Sequence, residues 1–202
     1  MERTNLIICG AGGRMGSLLI KLALNDKSFF VKGGLEVKGH PLTGKILDGV
    51  KIYDDLDNIL EKGDVVIDFT LPSATMEFIE KVKEKKGKIV IGTTGFEKKQ
   101  IEKIKEISEN IPVFLSPNMS IGVNLFFEII RYASKILRDY EVEIKEIHHH
   151  FKKDAPSGTA KKIAEIICNE RKLKIEEVVK YGREGITGER KFQEIGIHSL
   201  RI

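Results

Sequence analysis

The densest run of chemically able side chains is His148-His149-His150-Phe151-Lys152-Lys153-Asp154-Ala155-Pro156-Ser157-Gly158-Thr159-Ala160. Histidine is the side chain whose unperturbed pKa lies near neutrality, so His148 can exchange a proton at ordinary pH, and Lys152 adds a cation close by. Ser157-Gly158-Thr159 opens a helical pattern, and a helix N-terminus offers free N–H groups and partial positive charge to a carboxylate. A metal site is not expected. On a strand, His148 and His150 point to one face and His149 to the other, and no cysteine or paired carboxylate completes a ligand spacing. The competing reading is a solvated basic loop followed by a helix cap. It would win for any single histidine, but acid, cation and anion-binding helix start fall within one short segment.

A second constellation lies near the N-terminus. Gly10-Ala11-Gly12-Gly13-Arg14-Met15-Gly16 follows an apolar run and opens a helical one. Glycines at 10, 13 and 16 allow a tight turn, close approach of backbone to a pyrophosphate, and close packing of helix on strand. Glu36 ends the next strand, where a carboxylate can accept both hydroxyls of an adenosine ribose, which favours NAD. Gly92-Thr93-Thr94-Gly95 and Ser116-Pro117-Asn118-Met119 each end a later strand at its carboxyl edge, where open α/β sheets bind ligands. Either loop alone would pass as ordinary turn chemistry.

The elements that must position these residues alternate. Continuous apolar runs at 5–9, 29–35, 65–69, 88–91 and 112–115 read as strands buried on both faces, with a further short strand at 51–53. Helical patterns at 15–24, 73–86 and 97–110 lie between them, which implies βαβ units and a Rossmann-like, doubly wound parallel sheet. After Ser116 the character changes. A helix is expected at 122–137, a strand open on one face at 141–149, a helix at 159–167, a Gly-rich charged loop at 183–190 and a strand at 192–197. Residues 1–117 are therefore assigned to a dinucleotide-binding domain, and 118–202 to a smaller α+β substrate-binding and oligomerisation domain with an open mixed sheet. Val142, Ile144 or their neighbours would be exposed there for another subunit to cover.

Composition narrows the partners. The 202 residues carry 34 basic and 30 acidic side chains and 41% hydrophobic residues, enough apolar material and little enough net charge to form a core. Lysines interleave with glutamates, as in residues 80–86, so the +4 net charge forms solvated helix faces and nucleic-acid binding is not expected. No stretch approaches a spanning helix, and Met1-Glu2-Arg3 leads straight into a strand without a signal core, so no membrane partner and a cytoplasmic location are expected. Cys9 and Cys168 are too few for a disulfide framework, and Cys9 reads as an inert buried thiol.

The quoted loops, with VIDFT at 66–70, IGTTGF at 91–96, PNMSIGVN at 117–124, EIHHHFKKDAPSGTA at 146–160 and REGITGER at 183–190, resemble the 4-hydroxy-tetrahydrodipicolinate (dihydrodipicolinate) reductases of lysine and diaminopimelate biosynthesis. The resemblance implies reduction of 4-hydroxy-tetrahydrodipicolinate to tetrahydrodipicolinate with NADH or NADPH. It implies that Gly10, Ala11, Gly12, Gly13, Arg14, Met15, Glu36, Gly92, Thr93, Thr94, Ser116, Pro117, Asn118 and Met119 line the cofactor site. His148 and Lys152 would be the acid/base residues, while His149, Gly158 and Thr159, with Ser157 beside them, would hold a small dicarboxylate. A homotetramer assembled through open sheet faces is also implied. Members that use NADPH well often carry Arg directly after the acidic residue. Val37 stands there instead, which favours NADH, with Lys38 next to it a partial substitute as a point charge. Members commonly continue past the position of Ile202, so the C-terminal domain is expected to be incomplete relative to them. Two other functions compete: a truncated or regulatory NAD(H)-binding protein without turnover, and a related amino-acid-pathway dehydrogenase, which would lack the DAPSGTA loop.

Overall fold

The computed structural model describes residues 3–202. The chain divides into two compact units, one ending at Pro117 and the other spanning Asn118–Ile202.

In the first unit, β1 (Thr4–Cys9) lies between β2 (Phe29–Leu35) and β5 (Val65–Asp68), paired in parallel with both. β4 (Val50–Tyr53) extends the sheet beyond β2, and β6 (Lys88–Ile91) and β7 (Val113–Leu115) extend it beyond β5. A two-residue edge strand, β3 (Ile46–Leu47), adds antiparallel to β4 and was not legible in the apolar pattern. Successive residues of β1 face opposite ways, and both ways are covered. Ile7 and Cys9 enter a cluster with Ile79 and Val82 of α2 (Pro72–Glu84) and Ile104 and Ile107 of α3 (Lys98–Ser108). Ile8 joins Ile20 of α1 (Arg14–Leu24) and Ile52 on the other side. Burial on both faces is why these strands read as unbroken apolar runs. Chain order reverses about β1: β2 lies on one side and β5 on the other, so loops leaving the carboxyl ends of β1 and β5 splay apart and leave a crevice.

The second unit packs α4 (Ile121–Ile136) and α5 (Gly158–Arg171) on a small sheet ordered β8 (Val142–His148), β10 (Ile195–Arg201), β9 (Val179–Tyr181). A mixed sheet is expected from sequence, but both described pairings are parallel. The last strand also lies later than its apolar residues suggest. Residues 191–194 are held in a turn, with Glu194 N–H bonded to the Lys191 carbonyl at 3.0 Å, and pairing with β8 continues through the mostly polar His198-Ser199-Leu200-Arg201. α5 runs past Ile167 to Arg171 and stops where Lys172 turns left-handed at φ 57°. A short α6 (Ile175–Val178) and β9 have no apolar period long enough to announce them.

The two faces of β8 are exchanged relative to the expectation for Val142 and Ile144. Ile144 is buried under Ala160, Ala164 and Ile167 of α5, and Val142 packs against the same cluster. The open face carries Glu143, Lys145 and Ile147, with Leu200 of β10 and Tyr181 of β9 also exposed. Among the described residues no helix is long and apolar enough to cross a membrane.

Candidate active site

In the first unit the glycine loop is built as its residue types require. Gly10 takes φ +68°, a region that favours glycine, and a Cβ on Gly16 would stand 2.0 Å from the Gly10 carbonyl oxygen, so only hydrogen allows α1 this close to the end of β1. Gly13 precedes α1 without a side-chain cap, and the first turn of α1 carries no acidic residue. Amides of that turn lack intrahelical acceptors and project partial positive charge, so they suit a phosphate. Gly12, Gly13, Arg14 and Met15 are exposed there, whereas Ala11 is buried and can offer only its backbone.

Glu36 reaches the same loop, accepting the Gly12 N–H at 2.7 Å. It borders a cavity of about 500 Å³ also lined by Gly10, Val37, Lys38, Thr70 and Leu71, at the carboxyl ends of β1, β2 and β5. The volume, a glycine loop with an uncapped helix start, and a carboxylate at the rim fit an adenine dinucleotide. The Cys9 thiol is pushed well up by burial, with the negative charge of Asp68 and Glu36 adding, so it remains an inert core group.

The pattern of apolar runs missed the group that ties these loops together. Asp68, at the end of β5, is fully buried and has no cationic partner among the described residues. Its carboxylate accepts the Thr70 N–H at 3.0 Å, the Thr70 hydroxyl at 2.6 Å, the Thr93 hydroxyl at 3.3 Å and the Thr75 hydroxyl. The Thr70 N–H is shared with the Thr93 hydroxyl at 3.0 Å, and Gly92 N–H bonds the Asp68 carbonyl at 2.8 Å. Thr93, expected to line the cofactor, is therefore buried with its hydroxyl turned into this network, while Thr94 is exposed. Gly92 is required by contact, since a Cβ there would lie 2.1 Å from the Phe69 ring. The signal in sequence was the DFT triplet after an apolar strand, an acid where the run should have ended in a turn residue.

The loop after β7 is divided between the units: Ser116 and Pro117 end the first, and Asn118 and Met119 begin the second. The Asn118 side chain accepts the Ser120 N–H at 2.9 Å, and Ser120 caps α4.

In the second unit β8 ends at His148, so the alternation expected through His150 stops there. His149 and His150 are exposed in the turn that follows, and the His150 ring lies 3.9 Å from that of Phe151. His148 keeps the covered side of the strand, beside Glu146, with its Nδ1 3.7 Å from a Glu146 oxygen. The Lys152 ammonium pairs with Asp154 at 2.8 Å, which holds the Asp154 carboxyl below its usual range. Arg201, at the end of β10, donates to the carbonyls of Lys152 at 3.2 Å and Asp154 at 2.5 Å and so pins the loop. Neither Asp154 nor Arg201 was singled out from sequence.

Ser157 is buried and its polar atoms are committed: the hydroxyl accepts the Ala160 N–H at 3.2 Å, and its own N–H goes to Glu146 at 2.9 Å. It is the cap of α5 rather than an open ligand group, which leaves the Gly158 and Thr159 amides as first-turn donors without intrahelical acceptors. An added Cβ at Gly158 would meet nothing within 4 Å, so the approach to that backbone is open. Among the described residues no group of three or more His, Cys, Asp or Glu could hold a metal ion.

Comparison with known proteins settles the lineage. Residues 4–119 match the profile of dihydrodipicolinate reductase, N-terminus, and residues 122–202 that of its C-terminus. The chain belongs to the dihydrodipicolinate reductase family. The 4-hydroxy-tetrahydrodipicolinate reductase of Aquifex aeolicus (strain VF5) is 47% identical over 207 residues, covering 97% of this chain and 77% of that one. The same-named enzyme of Syntrophus aciditrophicus (strain SB) is 41% identical over 204 residues, covering 96% of this chain and 76% of the other. Among solved structures, a dipicolinate-bound dihydrodipicolinate reductase from Paenisporosarcina sp. TG-14 superposes with a TM-score of 0.76 at 26% identity, covering all of this chain and 79% of that chain. The reductase chain thus has the family's α/β fold, and the family uses a nicotinamide cofactor.

Proposed function

We propose that this chain reduces 4-hydroxy-tetrahydrodipicolinate to tetrahydrodipicolinate, a step of lysine and diaminopimelate biosynthesis, with NADH as the preferred donor. The observation that carries the chemistry is the placing of His148, Lys152 and the open start of α5 at one end of the second unit's sheet. Overall, one hydride and one proton enter the substrate and one water leaves. When bound, the reduced nicotinamide supplies the hydride. His148 supplies the proton, directly or through a water it orients. Lys152, exchanging Asp154 for substrate, faces one carboxylate of the dianion, and the Gly158 and Thr159 amides receive the other, with His149 at the rim. A solved relative's binding of dipicolinate, a planar dicarboxylate, supports this assignment.

Gly10, Gly12, Gly13, Arg14 and Met15 would hold the pyrophosphate, Glu36 the adenosine ribose, and Gly92, Thr94 and the Ser116–Met119 segment the remainder of the cofactor. Ala11 and Thr93 would take part through backbone alone. Residues 1–117 serve the cofactor, and 118–202 the substrate and a homotetramer assembled through the open sheet face that bears Ile147 and Leu200. The reductase acts in the cytoplasm.

The test is turnover of 4-hydroxy-tetrahydrodipicolinate by the purified chain, followed at the reduced-nicotinamide absorbance band. His148→Gln should lower kcat by about 10² to 10⁴, the range for a general acid, with little change in KM. Near-normal turnover by His148→Gln with loss in His149→Gln would move the acid by one residue. NADH binding without turnover in the unaltered chain would favour the binding-protein reading.

A further inference from the structure

Along β8 the covered face reads Val142, Ile144, Glu146, His148, and the residues between them point outward. The first two lie in the apolar cluster under α5. The last two continue the same face to where α5 begins, so the change from apolar to ionisable marks the edge of the core. Glu146 is unusual in this row. Its side chain is only 9% exposed, and one oxygen, Oε1, accepts both the Ser157 N–H at 2.9 Å and the Ser199 hydroxyl at 2.6 Å. Its other oxygen, Oε2, is buried without a hydrogen-bond partner, and so is Nδ1 of His148. These two orphans face each other at 3.7 Å. A buried carboxylate oxygen left without a donor is costly, and an imidazole Nδ1–H is a donor of the right kind. Shortening the gap by about 0.8 Å would make an ordinary hydrogen bond.

We propose that Glu146 is a positioning residue for His148: it binds the proton on Nδ1, fixes the ring's tautomer, and leaves Nε2 as the nitrogen that exchanges the catalytic proton. The proposal rests on the reading of His148 as the proton donor. The same carboxylate holds the N–H of Ser157, the residue that caps α5, so one side chain ties the acid to the anion-binding helix start. Burial alone would raise the Glu146 carboxyl, but the Ser157 and Ser199 hydrogen bonds and the nearby His148 hold it below its usual range, so it stays a carboxylate beside His148. Other charges about His148 are committed elsewhere. Arg201, its register partner on β10, is turned to the loop carbonyls, Lys152 is paired with Asp154, and α5 brings no charge before Lys161, which acts on Asp154. His149 and His150 lie outside in the turn.

Glu146→Gln keeps an acceptor for Ser157 and Ser199 and removes the charge. It should lower kcat about 10- to 100-fold, part of the full value of a general acid, with KM nearly unchanged. The limb of the pH profile that His148→Gln abolishes should move to lower pH, as loss of an opposite charge beside the ring predicts. A residue that merely held the strand would change KM and Tm and leave that limb in place; an unmoved limb overturns the proposal. If the variant does not fold, nitrogen chemical shifts of His148 in the unaltered protein decide, with no turnover needed. The proposal expects neutral His148 protonated on Nδ1, and the opposite tautomer refutes it. His148→Gln separates the two failures. If it retains turnover, the proton-donor reading falls. If it loses turnover while Glu146→Gln leaves the limb unmoved, only the role of Glu146 falls.

Discussion

Each unit sets an acid near the carboxyl end of a strand on the edge of its core, each acid meets hydroxyl and backbone N–H donors, and the two differ in what else stands beside them. Asp68 in the first unit is wholly buried and met by hydroxyls and a backbone amide. Glu146 in the second lies beside an ionisable ring, a few residues from a lysine–aspartate pair, at a surface where His148 keeps 33% of its side-chain exposure. The difference follows from what each site is proposed to do. Binding a dinucleotide through backbone amides demands fixed loops and no change of charge, and neutral donors around a buried carboxylate provide that rigidity. Proton transfer and capture of a dianion demand groups that gain, lose and exchange charge. Those groups stay near water, where the cost of an unpaired intermediate state is small.

The largest expected effect tests the rigid side of this contrast. Asp68→Ala would take the carboxylate acceptor from the hydroxyls of Thr70, Thr75 and Thr93, leaving the Thr70 N–H only the Thr93 hydroxyl and the Thr75 hydroxyl only the Leu71 carbonyl, and the loops after β5 and β6 would lose their common anchor. The first unit should lose about 3 kcal/mol of stability, the scale of a buried hydrogen-bond network that loses its shared acceptor, and NADH binding should fall with it. Chemical denaturation followed by hydrogen exchange at β5 and β6 would measure the loss. A change under about 0.5 kcal/mol would mean that the network is ornamental.

Glu36 offers a smaller and more selective effect, because it sits at the rim of the same unit and half-exposed. Glu36→Ala should weaken NADH by at least about tenfold, the value of a hydrogen bond to a charged group, and NADPH less, since a 2′-phosphate is repelled by the carboxylate. Fluorescence titration with both cofactors gives the ratio. Equal losses would place Glu36 away from the ribose, acting only as the acceptor for Gly12 N–H.

The same contrast explains what could be read from sequence. The first unit was legible almost strand by strand because burial on both faces leaves a continuous apolar run, and the glycine loop because contact distances such as 2.0 Å at Gly16 admit no other residue. Asp68 was hidden because its partners, Thr75 and Thr93, are distant in sequence and look like ordinary helix and turn residues. In the second unit the histidine loop announced itself by composition, yet its supports did not. Arg201 reaches the loop only because β10 pairs beside β8, and a three-stranded sheet with one polar end has little periodicity to reveal that register. The face of β8 was misjudged for a related reason: alternation gives two faces, and only the position of α5 says which is inside.

The smallest effect tests the charged side. On the open face of β8, Glu143 accepts from Arg183 at 2.8 Å, lies 3.1 Å from Arg190 and meets His198 at 2.8 Å, which fastens the Arg183–Arg190 loop to the sheet. Hydrogen bonding to Arg183 is the main influence on its carboxyl, and with His198 and Arg190 it outweighs burial and holds the group below its ordinary range. Because the folded pKa is the lower one, the unfolded chain takes up the proton first as pH falls. The stabilisation is therefore complete above the ordinary carboxylate range, about pH 4.3, and is lost as pH drops through the folded value. Glu143 is 38% exposed, so solvent screening limits its contribution to about 1 kcal/mol or less. Glu143→Gln should lower the denaturation midpoint slightly at pH 7 and flatten its decline as pH falls through and below the ordinary carboxylate range, so that the two curves converge in acid. Curves that stay parallel over that range would show that the loop is held by its backbone and by the Arg183–Glu194 pair at 2.5 Å, with Glu143 a bystander.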